Sequence, residues 1–122
     1  MQHFANLKVW QRSHALVLDL YRLTAGFPAE ERFGLISQLR RAAASVPTNL
    51  AEGSKRKSQR DYAHFLNLAE ASLAETEYLI LLSRDLAYLT PDQAEPRQRE
   101  VSEISRMLYA LRDKIEKGDP GP

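Results

Sequence analysis

Six basic side chains between residues 40 and 60 form the group in this sequence that is best suited to chemistry. Glu52 is the one acid among them, so the local charge of the segment is +5. Guanidinium and ammonium groups attract phosphates, and contacts to a phosphate backbone are largely independent of base sequence. The cluster therefore predicts a surface that binds RNA or DNA, made by Arg40, Arg41, Lys55, Arg56, Lys57 and Arg60.

The middle of this cluster comes directly before a predicted helix start, where free backbone N–H groups and the helix dipole add positive potential. A phosphate would be attracted there by both the side chains and the helix end. The alternative is a solvated loop, or a set of ion pairs between subunits that join the basic segment to Glu70, Glu75 or Glu77. Charge runs are common on protein surfaces, so both interpretations stay open.

No set of residues in the sequence resembles an active site or a metal centre. The absence of cysteine excludes disulfides, thiolate zinc sites and a cysteine nucleophile. Di-iron bundles need two Glu-x-x-His pairs, and only Asp61 with His64 approaches that spacing. We predict neither a metal nor another cofactor, and a protein that is not an enzyme.

Glu52 stands near a predicted helix C-terminus, where negative charge is unfavourable unless a cation is close. It has no second carboxylate or histidine at a spacing that would suit general acid–base catalysis. We expect it to pair with a basic residue of another helix or of another subunit. We place it among the residues that serve the structure or a subunit interface, together with Trp10, Pro47, Asn49 and Gly53.

Helices must position these residues, because apolar residues recur at helical spacing and no strand-like alternation occurs. A first helix is predicted over about residues 7–25, with Asn6 as its N-cap. A second helix is predicted to begin near Ala29. Pro47 cannot donate to the carbonyl of residue 43, so we expect a kink there or two short helices in succession. We expect Gly53 to close this segment in a left-handed conformation.

Two further helices are predicted from their capping residues. Ser58, followed three residues later by Asp61, predicts the start of the third helix. Thr90, followed by a proline and then by Gln93, predicts the start of the fourth. Pro96 is expected to delay regular helix until after it. The links between the helices are short, which favours antiparallel neighbours.

Composition and length indicate one folded domain. The chain has 122 residues, of which 43% are apolar and 27% charged, a composition far from that of disordered chains. No segment approaches the ~18 apolar residues of a membrane span, and no secretory signal begins the chain. We therefore predict a cytoplasmic all-α protein without membrane contact. Residues 1–117 are predicted to form an antiparallel up-down-up-down four-helix bundle, with its second helix kinked at Pro47 and a flexible tail over residues 118–122.

The first predicted helix is apolar on two faces. One face carries Leu7, Trp10, Val17, Leu18 and Tyr21, and the other carries Val9, Leu16, Leu20, Leu23 and Phe27. A single core can cover one face of a helix. We therefore expect copies of the chain to associate.

Several separated motifs carry a resemblance to a known family. They are Val9-Trp10-Gln11, Phe27-Pro28 with Glu31, Gly34-Leu35, Gln38-Leu39-Arg40-Arg41-Ala42, Ser45-Val46-Pro47, Asn49-Leu50-Ala51-Glu52-Gly53, Ser58, Tyr62, Phe65-Leu66, Ala69, Ser72, Glu75 and Tyr88-Leu89. Over about residues 4–90 the sequence resembles the four-helix-bundle proteins first noticed as products of intervening sequences in bacterial large-subunit ribosomal RNA genes, sometimes called ribosomal-protein-like. That family includes proteins similar to the accessory variability determinant of diversity-generating retroelements.

The resemblance implies a bundle that assembles into a ring-like homopentamer. For the retroelement members it implies binding to nucleic acid and to a reverse transcriptase. We therefore expect a non-catalytic, pentameric helical bundle whose basic surface binds nucleic acid, above all structured RNA. The alternative is a protein-interaction scaffold that binds no nucleic acid.

Overall fold

The computed structural model describes residues 3–118, and every regular element in that part of the chain is helical. The prediction of an all-α protein with four helices is confirmed. Of the predicted tail, residue 118 is described, whereas 119–122 lie outside the described residues. The long helices are α1 (Lys8–Thr24), α2 (Leu35–Ser54), α3 (Gln59–Asp85) and α4 (Pro91–Glu116), and single 3-10 turns occupy Phe4–Asn6 and Ala29–Glu31.

The four helices share one core. α2 packs against α1 and α3, and α4 packs against α3 and α1. Full burial of one large aliphatic side chain stabilises a fold by about 1.5–3 kcal/mol, so the shared core is the main source of stability. All four helices contribute side chains with no exposed surface, among them Leu20, Leu39, Leu50, Leu66, Ile80, Ile104 and Leu108. None of the described helices has the length and apolar character needed to cross a membrane.

The starts of α3 and α4 are fixed by the capping bonds that the sequence predicts. Ser58 Oγ accepts a hydrogen bond from the backbone N–H of Asp61 at 3.0 Å. Thr90 Oγ1 accepts from the N–H of Gln93 at 3.1 Å, and Gln93 Oε1 accepts from the N–H of Thr90 at 3.0 Å. α4 is regular from its first residue through Pro96, so the expected delay is wrong. Proline keeps a helical φ and removes one hydrogen bond, which one early turn of a long helix can lose.

The starts of α1 and α2 differ from the predictions. Asn6 belongs to the preceding 3-10 turn, so the N-cap of α1 is Leu7 and not Asn6. Leu7 makes no side-chain capping bond. α2 begins at Leu35, whereas Ala29 opens a separate 3-10 turn. Glu31 supplies the missing cap, since its Oε1 accepts a hydrogen bond from the N–H of Leu35 at 3.1 Å. This cap comes from four residues upstream, outside the spacing of a capping box.

α2 continues through Pro47 as one helix, so the prediction of two short helices in succession is wrong. The proline has no N–H to donate to the carbonyl of residue 43. The next two side chains then bond the two carbonyls that follow. Thr48 Oγ1 donates to the carbonyl of Ala44, and Asn49 Nδ2 donates to that of Ser45, both at 2.8 Å. Side-chain bonds of this kind often accompany bending of a helix.

Gly53 lies inside the last turn of α2, and the prediction of a left-handed cap there is wrong, since Gly118 is the glycine with a positive φ in residues 3–118. Gly53 instead permits a close approach of α2 to α3. A Cβ at this position would lie 2.8 Å from the Cβ of Phe65 and 3.2 Å from Cδ1 of Tyr62. The missing side chain therefore sets the distance between the two helices at this point.

The two apolar faces of α1 have different surroundings. The face that includes Leu20 is buried in the core. On the other face Val17 is buried and Trp10 is half-buried, whereas Leu18 and Tyr21 are 43% and 44% exposed. A single copy therefore leaves part of this second face in contact with solvent.

Candidate nucleic-acid interface

The six predicted basic residues fall into two groups on one copy of the chain. Arg40 and Arg41 lie in the second turn of α2. Arg41 precedes Lys55 by roughly 21 Å of helix, at about 1.5 Å per residue. The second group lies at the link between α2 and α3 and in the first turn of α3, and comprises Lys55, Arg56, Lys57 and Arg60.

The guanidinium of Arg40 is bonded within the chain. Its Nε donates to Thr24 Oγ1 at 2.9 Å, and its Nη2 donates to the carbonyl of Tyr21 at 3.0 Å. It also lies 4.6 Å from the centre of the Tyr21 ring. Carbonyls in the last turn of a helix lack N–H partners and attract cations, so Arg40 stabilises the end of α1. These contacts hold Arg40 against the end of α1 and make its guanidinium less available to phosphate than the cations of the second group.

Arg41 lies in a polar groove between α2 and α3. The groove has a volume of about 390 Å³ and is lined by Arg41, Ser45, Ser72 and Glu75, among others. Ser72 Oγ donates to Ser45 Oγ at 2.8 Å across the helix contact. A carboxylate shares this groove with Arg41, which makes the groove less favourable to phosphate than the α2–α3 link.

The second basic group is exposed, and within residues 3–118 none of its four members forms an ion pair. Two of the four rest on aromatic rings. The guanidinium of Arg56 lies 4.6 Å from the centre of the Phe65 ring, and Lys55 Nζ lies 5.9 Å from that of Phe4. Such contacts restrict a cation without neutralising it. All four charges are therefore available to a ligand, and those of Lys55 and Arg56 are also restricted in position.

The fold brings further cations to the same end of the molecule. A Cβ placed on Gly118 would lie 3.8 Å from Gln59 Nε2, so the end of α4 meets the start of α3. The contact of Lys55 with Phe4 joins the start of α1 to the end of α2. We call segments 4–8, 52–61 and 112–118 the basic end. They hold eight cations and four acids, a net charge of +4. The acids are Glu52, Asp61, Asp113 and Glu116, and the cations are Lys8, Lys55, Arg56, Lys57, Arg60, Arg112, Lys114 and Lys117.

Four cations of the basic end were not predicted from the sequence, because single charges far apart in the chain form no run: Lys8, Arg112, Lys114 and Lys117. Their positions in the first turn of α1 and at the end of α4 are the signal that could have identified them. Lys117 Nζ bonds Asp113 at 2.9 Å. Lys8 and Lys114 are exposed and have no ion pair within residues 3–118, so they extend the available charge.

The other two links meet at the opposite end. The ring centres of Phe27 and Tyr88 are 5.5 Å apart, and the Tyr88 hydroxyl donates to Glu31 Oε2 at 2.9 Å. This hydrogen bond raises the pKa of Tyr88. We call segments 22–34 and 81–95 the acidic end. They carry three cations against five acids, a net charge of −2, from Arg22, Arg32, Arg84, Glu30, Glu31, Asp85, Asp92 and Glu95.

Three of the five predicted structural or interface residues meet in one groove between α1 and α2. Trp10 Nε1 donates to the carbonyl of Pro47 at 3.2 Å, and both residues line the groove with Glu52. Glu52 forms no ion pair in residues 3–118, so the partner expected in another helix is not found there. A partner in another subunit stays a prediction. Asn49 and Gly53 serve α2 itself and its contact with α3.

Glu70 has a partner inside the chain. Its Oε2 accepts a hydrogen bond from Arg112 Nε of α4 at 2.6 Å, and each side chain is about a quarter exposed. This hydrogen bond is the main reason why the pKa of Arg112 is raised, and the hydrogen bond from Arg112 to Glu116 is the second. Glu70 is thereby removed from the alternative in which the basic segment pairs with α3 of another subunit. Glu75 and Glu77 are exposed and stay open to it.

Four helices around one core, with cations gathered at one end, define an all-α protein with a polarised charge distribution. The chain belongs to the 23S rRNA-intervening sequence protein family, whose family model matches residues 5–110. The resemblance carried by the sequence motifs is thus confirmed.

One solved structure is similar in both fold and sequence. It is the crystal structure of a protein of unknown function from the S23 ribosomal protein family of Bacteroides thetaiotaomicron, with a TM-score of 0.75 and 25% sequence identity. The similarity covers 84% of this chain and 96% of that one. None of the curated proteins matches this chain in sequence.

Proposed function

We propose that this chain is a non-catalytic, oligomeric helical bundle that acts in the cytoplasm and binds structured RNA by its phosphates at the basic end. The observation that carries the proposal is the exposure of four cations at the α2–α3 link with no carboxylate bonded to them in residues 3–118. Phosphate can bind these cations without breaking an ion pair. The family's description refers to 23S rRNA, which makes RNA the first polyanion to test.

The proposed bundle has up-down-up-down topology, with α2 kinked at Pro47. Contacts between neighbouring helices support antiparallel directions, because a higher residue number on one helix meets a lower one on the other. Arg12 bonds Glu100 and Asp19 bonds Arg97, which supports opposite directions for α1 and α4. The contacts of α1 with α2, at Trp10–Pro47 and Tyr21–Arg40, follow the same order. The missing proline hydrogen bond and the side-chain bonds beside it support the kink.

The proposed oligomer is a ring of five copies that repeats the basic end around an axis. Exposed apolar side chains outside the basic end support association, since large ones on a monomer's surface often mark contacts. Leu18 and Tyr21 are 43% and 44% exposed on α1, and Phe33 in the α1–α2 link is 88% exposed. Light scattering on the full chain measures the stoichiometry, and a monomer at micromolar concentration would contradict the ring.

Charge reversal at the α2–α3 link tests RNA binding. The variant K55E/R56E/K57E should lose binding to a structured RNA at low salt in a gel-shift titration, while its circular dichroism remains helical because all three side chains are exposed. The matched control R22E/R32E/R99E changes the net charge equally at exposed positions outside the basic end. Wild-type affinity of the first variant, or equal loss in both, would remove the proposal.

The alternative function is a protein-interaction scaffold, favoured by the 88% exposure of Phe33. The protein partner of such a scaffold is unknown; if the chain is a retroelement accessory protein, the resemblance implies a reverse transcriptase as a partner. A salt titration separates the two functions. Phosphate contacts lower the logarithm of affinity by about 0.7–0.9 per contact for each unit of log salt, so four to six cations predict a slope of about 3–5. An apolar protein contact would give a slope near zero.

A further inference from the structure

A groove between α1 and α2 opens beside the basic end and has the chemistry of a nucleobase site. Its volume is about 390 Å³, within the range of about 300–1,000 Å³ found for small-ligand sites. One wall is formed by aromatic and apolar side chains of the N-terminal segment and α1. The other is formed by α2, and the two walls together include Phe4, Trp10, His14, Ala44, Pro47, Thr48 and Glu52.

The aromatic rings of the first wall form a continuous series. The His3 and Phe4 rings stack with centres 4.4 Å apart, Phe4 meets the edge of Trp10 at 5.0 Å, and Trp10 stacks on His14 at 5.0 Å. The hydrogen bond from Trp10 Nε1 to the carbonyl of Pro47 fixes the indole against α2. The Phe4 and Trp10 rings are inclined at 62°, and Trp10 and His14 cover one face of each other. A ring held in place in this way can stack with one flat nucleobase through a face that stays free.

One charged group lines the groove and another lies beside its aromatic wall. Lys55 Nζ lies 5.9 Å from the centre of the Phe4 ring, where it can meet the phosphate attached to a stacked base. The carboxylate of Glu52 also lines the groove and is exposed. A carboxylate repels phosphate but accepts a hydrogen bond from an amino group at the edge of a base. The groove and the residue beside it therefore offer a ring for stacking, a cation for phosphate and a carboxylate that accepts a hydrogen bond from the edge of a base.

We infer that this groove binds an unpaired nucleobase of the RNA, stacked on one ring of the aromatic series of Phe4, Trp10 and His14. The inference rests on the proposed function and adds to it the part of the RNA that is recognised, namely a single-stranded segment next to phosphates bound at the basic end. Duplex RNA binds through phosphates only, because its bases are already stacked and paired. Stacking on an aromatic side chain increases affinity by roughly 5- to 140-fold per base.

The single tryptophan of the chain reports directly on the groove. Titration with a single-stranded oligonucleotide should quench the fluorescence of Trp10, whereas a blunt-ended duplex of equal length should bind without quenching it. Equal quenching by both ligands, or binding of the single strand without quenching, would overturn the inference. Emission that changes with protein concentration and not with RNA would do the same, because a second copy would then cover the groove.

Variants that leave Trp10 in place separate stacking from phosphate contact. F4A and H14A should weaken binding of the single strand by about 5-fold or more, with unchanged circular dichroism. H14A should leave duplex affinity within about 2-fold, because the ring beside Lys55 is that of Phe4 and not that of His14. The control Y78A removes an aromatic ring that is 57% exposed on α3 and should change neither affinity. Equal affinities of F4A, H14A and wild type for the single strand would overturn the inference and leave phosphate binding intact. Absence of binding to either ligand would overturn the proposed function as well.

Discussion

Gly53 and Phe65 approach each other so closely that a Cβ on the glycine would lie 2.8 Å from the Cβ of the phenylalanine. Both atoms would be attached directly to helix backbones, so neither could move aside by changing a rotamer. α2 and α3 can keep this distance only while residue 53 has no side chain. The contact also holds the ring that supports Arg56 of the basic end.

We expect Gly53→Ala to destabilise the protein by about 1–2 kcal/mol. Overpacking costs about 1–3 kcal/mol, and the better helix propensity of alanine offsets up to about 1 kcal/mol of this. Urea denaturation measures the free energy of unfolding. Gly26→Ala is the control, because its Cβ would meet only the carbonyl of Leu23 at an ordinary 3.7 Å. A variant G53A as stable as G26A would contradict the close approach.

Arg40 and Arg41 are neighbours in sequence and should behave differently. Arg40→Ala removes two hydrogen bonds to the end of α1 and should lower the free energy of unfolding by about 1–3 kcal/mol. Arg41→Ala changes an exposed side chain and should stay within about 0.5 kcal/mol of wild type. Thermal denaturation of the two variants gives the comparison. Equal stabilities would show that the bonds of Arg40 contribute nothing.

The half-buried pair of Arg112 with Glu70 should contribute more than an exposed pair on the same helix. A double-mutant cycle with Arg112→Met and Glu70→Gln should give a coupling energy of about 1 kcal/mol. The control cycle on the exposed pair of Lys117 with Asp113 should give a smaller coupling energy, because solvent screens exposed pairs one turn apart. Similar coupling energies in the two cycles would contradict the role of Arg112 in joining α3 to α4.

Stability should fall in alkaline solution partly because of Tyr62. Burial raises the pKa of Tyr62 above its ordinary value of 10.0. A raised pKa means that the folded state holds the proton more tightly than the unfolded state. The stabilisation is therefore complete below pH 10 and is lost as pH rises through the folded-state pKa. Urea unfolding between pH 8 and pH 11 should show that the free energy of unfolding falls less steeply with pH for Tyr62→Phe than for wild type. Equal slopes for the two proteins would contradict the prediction.

Glu52 should set a preference among unpaired bases. Cytosine presents an amino group where uracil presents a carbonyl oxygen, so oligocytidine should quench Trp10 at lower concentration than oligouridine of equal length. Glu52→Gln offers both an acceptor and a donor and should reduce the difference. Fluorescence titrations with both oligomers measure it. A preference that survives unchanged in E52Q would assign the selectivity to another group.

Sequence reasoning succeeded where the controlling contacts are local. The caps at Ser58 and Thr90 depend on residues three positions away, so their spacing alone predicts both helix starts. The start of α2 depends on Glu31, four residues upstream in a separate turn. No short motif describes that arrangement.

The roles of some residues could not be predicted from the sequence, because they depend on contacts with residues far away in the chain. Glycine is common at helix ends, which is why the sequence predicts a cap at Gly53. Its role in the close contact of α2 with α3 depends on Phe65, which lies against it only in the fold. Arg40 belongs to a basic run, but the end of α1 engages its guanidinium. Lys114 lies far from the α2–α3 link in the chain, and the fold brings it to the same end.

The separation of +4 at one end from −2 at the other also affects how fast a polyanion can find the protein. An approaching strand is drawn toward the basic end and turned away from the acidic one before any atoms touch, so a larger share of collisions begins in a productive orientation. Electrostatic steering of this kind raises association rates by about 10-fold or more and fades as ionic strength rises. Salt should therefore lower the association rate constant of this protein with RNA as well as its affinity.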